Sequence, residues 1–254
     1  MRSSSKLATA ALGAAATLPF LGVGAAAAAD GSTMANLRPA ALNGVKGSGT
    51  AMVEVHGTRI DVTMAASGLL PDNPHAAHIH FGADARHECP VAADDAKGDG
   101  TLNTTDGAPA YGPIVVSLTK SGDTSPKSGL AVDRFSTAPG GKISYERGSI
   151  HVSSGVAKAI ADGRSVVVIH GVDHNDDGKY DGKTKSDLDP SLPTEATDPA
   201  LCGVLNAAPA GGAATGAGGT SSGPDAPLLA LGGGLLLAAA GTGAVTARRA
   251  RNRA

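Results

Sequence analysis

Between residues 48 and 206 hydrophobic and polar positions alternate mostly with a period of two, the spacing of strands that bury one face. Ala51, Val53 and Val55 interleave with Met52, Glu54 and His56, and after Gly57-Thr58 the alternation resumes at Ile60, Val62 and Met64. Two such runs about a glycine-containing pair predict a β-hairpin. Further short strands are predicted at 76–81, 113–118, 142–146, 149–153, 165–170 and 202–205, with Gly, Pro, Asn and Asp clusters between them. One short helix fits 156–162, with Gly163 as its stop. The stretch 82–112 has little periodicity and reads as a long loop, of a kind that is usually functional or tied down. The pattern predicts an all-β fold, an antiparallel sandwich or barrel with long loops.

The two ends of the chain differ from this domain in kind. Residues 1–29 begin with Arg2 and Lys6, continue as an apolar, alanine-rich run and close on five alanines, which fits a signal peptide cleaved before Asp30. Residues 30–47 read as an N-terminal extension and 48–206 as the β domain. Residues 207–225 are Gly, Ala, Ser, Thr and Pro with one acid, a flexible linker whose rms reach is roughly 24 Å. The uncharged run 226–247 is long enough for a single transmembrane helix. The four arginines of the tail 248–254 would stay in the cytoplasm and leave the domain outside. The expected localisation is therefore the cell membrane, single-pass, with an exported domain.

Charge and composition narrow the partners. Six of the 21 cations lie in the two end segments and no acid does, so residues 30–225 hold fifteen cations against 23 acids, a net −8. With six aromatic residues in the chain and no Trp, neither phosphate attraction nor base stacking is available, which excludes nucleic-acid binding. No nucleophile elbow, P-loop, paired-glycine dinucleotide turn or Cys-x-x-Cys occurs. The two cysteines, Cys89 and Cys202, in an exported chain most economically form one disulfide. Two thiolates on a metal are the alternative, less suited to an oxidising compartment.

The sharpest local feature is His75-Ala76-Ala77-His78-Ile79-His80-Phe81. On a strand His78 and His80 share one side while Ala77, Ile79 and Phe81 take the other, towards the core. The predicted strand 165–170 ends in His170. If the two strands meet, His78, His80 and His170 form a three-imidazole site suited to copper or zinc; if not, they are solvent-exposed strand residues. A fourth ligand could be His75, His87, His151 or water; His75 faces away from His78 on a regular strand, which suits packing or turn hydrogen bonding. A second metal candidate is the loop from residue 173, where Asp173, Asn175, Asp177 and Asp181 stand at positions 1, 3, 5 and 9 of a calcium loop with Gly178 at the sixth. Its twelfth position is Thr184 and no helical pattern flanks it, so a solvated acidic turn fits equally well.

These residues carry a resemblance. His75-x-x-His78-x-His80 with Cys89 nine positions on resembles the first copper-ligand strand of the copper/zinc superoxide dismutases. Residues 163–170 and the acidic loop after them are similar to the later copper-ligand strand, and Leu201-Cys202-Gly203-Val204-Leu205 to the closing segment of that family. Ala77-His78-Ile79-His80-Phe81-Gly82 and Tyr111-Gly112-Pro113-Ile114-Val115-Val116 are also similar to CHRD domains, extracellular β-rich modules. The resemblance implies a Greek-key sandwich or barrel, copper on His78, His80 and His170, and a Cys89–Cys202 disulfide. It also departs from the dismutases. Asp95 stands where they have the bridging histidine, and Pro199 where they have an anion-guiding arginine. No histidine falls between Cys89 and His151, which argues against a zinc subsite.

Three functions follow from these readings. The first is a membrane-anchored module that binds copper without efficient turnover; the second, a copper-only dismutase; the third, a structural or adhesive surface module that holds no metal.

Overall fold

The computed structural model describes residues 30–207. The signal peptide expected at 1–29, and the linker past residue 207, membrane helix and basic tail, lie outside the described residues. Among the described residues no helix is long and apolar enough to cross a membrane.

The strands are β1 (Asp30–Pro39), β2 (Ser48–His56), β3 (Arg59–Ser67), β4 (Pro74–His75), β5 (Ala77–His80), β6 (Ile114–Ser117), β7 (Ser136–Thr137), β8 (Lys142–His151), β9 (Ser165–His170) and β10 (Pro199–Ala207). Two α-helices, α1 (Thr104–Tyr111) and α2 (Ser154–Ala161), join them. Eight strands form one antiparallel sheet in the order β6-β5-β9-β10-β1-β2-β3-β8, while β4 and β7 pair apart from it. The sheet curls into a half-barrel. Its concave side holds the core, to which every one of the eight strands contributes: Leu37, Val53, Val62, Ile79, Val116, Tyr145, Val167 and Leu201 all join one cluster. Mostly antiparallel β structure is therefore present, in one curled eight-stranded sheet and a separate two-stranded pair.

The predicted hairpin is β2–β3, in register from Ser48↔Ser67 to His56↔Arg59. The two strands expected at 142–146 and 149–153 are instead one, β8, interrupted by a bulge. Its pairing with β3 skips from Ile60↔Ile150 to Val62↔Arg147, and the Asp61 carboxylate accepts the Ser149 N–H at 2.6 Å. A bulge breaks the period-two pattern without ending the strand. The helix starts two residues before its expected beginning because the Ser153 hydroxyl accepts the Val156 N–H and caps it; Ala157 and Ile160 then enter the core.

One boundary needs correction. The stretch 30–47 is no extension at its start: β1 is a central strand between β2 and β10, paired along most of its length. Its inward positions are Thr33, Ala35 and Leu37, two of them small or polar, while Met34 faces outward. Alternation with so little contrast in hydrophobicity carries a weak signal. The domain thus begins by Asp30.

This placement yields a prediction. A chain whose domain starts at Ser48 leaves both β2 and β10 with unpaired edges and loses the burial of Leu37, and it will not unfold cooperatively in urea. A sigmoidal transition matching that of the chain starting at Asp30 would contradict the central role of β1.

Candidate metal centre

Strand β9 (Ser165–His170) is buried at all six positions. Val167 and Ile169 face the main core, and Val166 and Val168 face the opposite way into a second cluster with Tyr111 and Cys202. The convex face of the sheet is therefore covered here, which explains the continuous apolar run of this strand. Strand β5 lies beside it with His78 opposite Val168 and His80 opposite Val166. Ala77 and Ile79 enter the main core, as the alternation predicts. His78, His80 and His170 then share the covered convex face. Phe81 departs from expectation: it follows the end of β5, is only partly buried, and stacks on His87 with Arg164 over its ring.

The cover comes from the segment read as a long loop. Within 82–112 the chain forms α1, where the Asn103 side chain accepts the Asp106 N–H at 2.9 Å and the Asp106 carboxylate accepts the Asn103 N–H at 3.1 Å. This capping box was legible in Asn103-x-x-Asp106, but Gly107 and Pro109 inside the helix mask the periodicity. A Cβ at Gly107 would fall 2.4 Å from the Tyr111 ring, so glycine lets that ring fold back over its own helix and donate its hydroxyl to the Thr104 carbonyl. The Cys89–Cys202 disulfide, present as expected, fastens this cover to β10. Both cysteines are thereby removed from metal ligation.

Three potential ligand nitrogens, one from each of His78, His80 and His170, lie within 4.8 Å of one another. Each ring is held on its other side by a backbone carbonyl. His78 Nε2 donates to Gly129 at 3.1 Å, His80 Nδ1 to Gly112 at 2.8 Å, and His170 Nδ1 to Thr197 at 2.6 Å. A carbonyl oxygen only accepts, so the facing nitrogen carries the proton and the opposite one is a bare lone pair. Those opposite atoms, His78 Nδ1, His80 Nε2 and His170 Nε2, are buried and have no hydrogen-bond partner. Leaving one buried acceptor unpaired costs about 1–3 kcal/mol, and three pointing into one small space is the pattern of a ligand set. Gly112 is required for this geometry: its φ is +84°, and a Cβ there would come within 2.7 Å of the Gly82 nitrogen.

Electrostatics keep the lone pairs free. Burial, helped by the neighbouring His170, lowers His80 to about 3. Burial lowers His170 to about 4 despite its bond to Thr197, and holds His78 well below the ordinary histidine value. The rings are also packed in place, His80 against Tyr111 with centroids 4.5 Å apart and His78 against Phe135 at 5.3 Å.

The other candidates fall outside this centre. His75 is a structural residue, its Nδ1 2.8 Å from the His170 carbonyl oxygen and both ring nitrogens 3.1 Å from the Tyr180 hydroxyl. His151 is exposed, and His87 is taken up by the Gly82 carbonyl at 2.7 Å. Asp95 closes its own loop, its carboxylate accepting the N–H groups of Gly98, Asp99 and Gly100, which hold it below the usual carboxylate range.

The acids of the loop from residue 173 are bonded within the loop itself. Asp173 accepts the Asp177 and Gly178 N–H groups, and Asn175 accepts that of Asp177. The Lys179 ammonium sits 3.6 Å from Asp177 and 3.2 Å from Asp181. Two groups among the described residues place three His, Asp or Glu ligand atoms close enough to hold a metal ion, and neither contains these acids. The loop is instead fastened to the fold by the buried Glu195, whose carboxylate accepts the His174 and Asp181 N–H groups at 3.1 and 2.8 Å. The second group, Glu54, His56 and Asp61, is a loose surface arrangement with separations of 3.8 and 3.7 Å from the imidazole. Beside the centre, His174 is raised by its bond to Asp198, while burial outweighs that bond and raises Asp198 as well.

Sequence reasoning missed the three carbonyls, which carry no residue signature, and the residues beyond the rings. All three imidazoles line a cavity of about 360 Å³ together with Lys127, Leu130, Val132 and Leu188.

Two outcomes are expected. In the unfolded chain these imidazoles take up protons near pH 6.5, but in the metal-free fold only far below that. Their contribution to stability is therefore full above pH 6.5 and falls as the pH drops below it, an effect that the raised His174 and Asp198 oppose with the reverse sign. The urea midpoint in EDTA should be lower at pH 5.0 than at 7.5, and the difference should shrink in a His80→Gln variant. Removing the disulfide by Cys89→Ser with Cys202→Ser should cost about 4–5 kcal/mol, given its separation of 113 residues, measured by the same midpoint. No protein-family model matches the chain, and no curated protein matches it.

Proposed function

We propose that the domain is an extracellular copper-binding module of the CHRD or dismutase-like type, in which His78, His80 and His170 hold one copper ion without efficient turnover. The observation that carries this reading is a set of three buried imidazoles that offer ligand nitrogens within 4.8 Å of one another, each with one ring nitrogen that has no hydrogen-bond partner. Neutral imidazoles without thiolate or carboxylate suit borderline metals and exclude calcium and magnesium. Among divalent first-row ions, copper binds nitrogen sites of this kind most tightly, ahead of zinc.

The chain supplies the rest. The carbonyls of Gly112, Gly129 and Thr197 fix each tautomer and raise the basicity of the opposite nitrogen. Tyr111 and Phe135 wall the rings from solvent. Copper, when bound, supplies reversible one-electron transfer. The order of strands carrying the histidines and the Cys89–Cys202 pairing support a relation to the dismutase-like Greek-key barrels. An oxidised cysteine pair also supports export, because disulfides persist outside the reducing cytosol. Signal peptide and membrane anchor belong to this proposal on the strength of residues 1–29 and 226–254.

A second reading, dismutation, has one observation in its favour. Lys127 lines the same cavity as the three rings and gives an anion a cation that the position of Pro199 does not. In that reaction two superoxide ions and two protons yield one oxygen and one hydrogen peroxide. Asp95, bound to its own loop, is not free to replace a bridging imidazole in proton delivery.

The purified protein, stripped and reloaded, should retain one copper per chain after dialysis, measured by elemental analysis. His80→Ala should weaken binding at least about a hundredfold, and Gly112→Ala about tenfold through the lost carbonyl position. Wild-type protein that holds no stoichiometric copper would leave the structural-module reading. A dismutase rate that drops severalfold in Lys127→Glu at unchanged copper content would favour the second reading over the first.

A further inference from the structure

The three imidazoles form only the inner wall of the 360 Å³ cavity. Outward from them the lining turns apolar, with Ile114, Leu130, Val132 and Leu188. Lys127 and Tyr180 are its only other ionisable side chains. Six large hydrophobic residues are exposed among the described residues, and three of them, Leu130, Val132 and Leu188, line this one cavity, each 40–46% exposed. Single exposed apolar residues need no explanation, but half of them gathered about one opening mark a binding surface. The volume is that of a small-molecule site rather than a channel for a diatomic ion. At its inner wall lie the buried imidazoles, at its rim an exposed apolar surface.

We infer that this cavity binds a small organic ligand with an apolar body and one nitrogen, oxygen or sulfur donor. The body packs on Leu130, Val132 and Leu188, and the donor completes the coordination of the metal held by the histidines, a part that rests on the metal-site reading above. Three protein ligands leave a further coordination position for such a donor. The apolar rim contributes the same packing whichever donor is used, so affinity should follow the body of the ligand and not only its donor strength. A hydrophilic ligand of equal basicity gains nothing from that rim.

Imidazole and 4-phenylimidazole separate the two contributions, because they present the same kind of donor with and without an apolar body. Each is titrated into the copper-loaded full-length protein and followed by the visible and electron paramagnetic resonance spectra of copper(II). Phenylimidazole should bind at least about tenfold more tightly than imidazole, from burial of its ring. In Leu188→Asn and Leu130→Ser that advantage should fall to about twofold, while copper affinity and the affinity for imidazole stay unchanged. Equal affinities for the two compounds, or an advantage that survives both substitutions, would overturn the inference. Failure to load copper at all would defeat the metal reading separately. The apolar half is then tested on metal-free protein by the methyl resonances of Leu130, Val132 and Leu188. Saturable shifts on adding phenylimidazole uphold it, and unchanged resonances reject it.

Discussion

Three imidazole-to-carbonyl hydrogen bonds organise this domain. Each of His78, His80 and His170 gives its single N–H to a backbone oxygen and so turns its other nitrogen, unprotonated, towards its two neighbours. In water such a ring would exchange tautomers and charge freely. Burial removes both freedoms: the charged form is disfavoured, and the carbonyls select one neutral form. The cost of three orphaned acceptors falls on a fold that has a large apolar core on its other face to offset it.

Those carbonyls belong to three separate segments, so the centre depends on the cover and not on the sheet alone. Gly112 follows α1, Gly129 lies in the turns after β6, and Thr197 precedes β10. The disulfide holds the first of these segments to β10. The third is pinned by the Thr104 hydroxyl, which donates to the Thr197 carbonyl at 2.6 Å, and by Asp198, whose carbonyl accepts the Gly171 N–H. His75 and Tyr180 brace His170 from the far side. The acidic loop 173–182 takes part in the same scaffold through Glu195, and its carboxylates are spent on its own N–H groups and Lys179.

The cavity outside the rings joins two chemistries, unpaired ring nitrogens and an exposed apolar rim. Lys127 adds one cation to the cavity lining in a domain of strongly acidic balance. Donor, apolar wall and single charge come from segments between residues 74 and 197 that are remote from one another in the chain.

How much of this was legible in the sequence follows from the range of each interaction. Alternation along β2, β3 and β5 set both the strands and the side on which His78 and His80 stand, because side-chain direction on a strand is a local property. An even pair of cysteines signalled the disulfide. Strand β1 escaped because its inward residues are small, the bulge in β8 because it imitates a chain break, and α1 because Gly107 and Pro109 mask a capped helix. The sequence by itself determined which residues bear the chemistry and which way they face. Only the tertiary structure decided that three rings from two strands share a space, that backbone oxygens choose their tautomers, and that an apolar rim encloses them. Those are contacts between segments dozens of residues apart, and no local pattern of side chains encodes the position of a distant carbonyl.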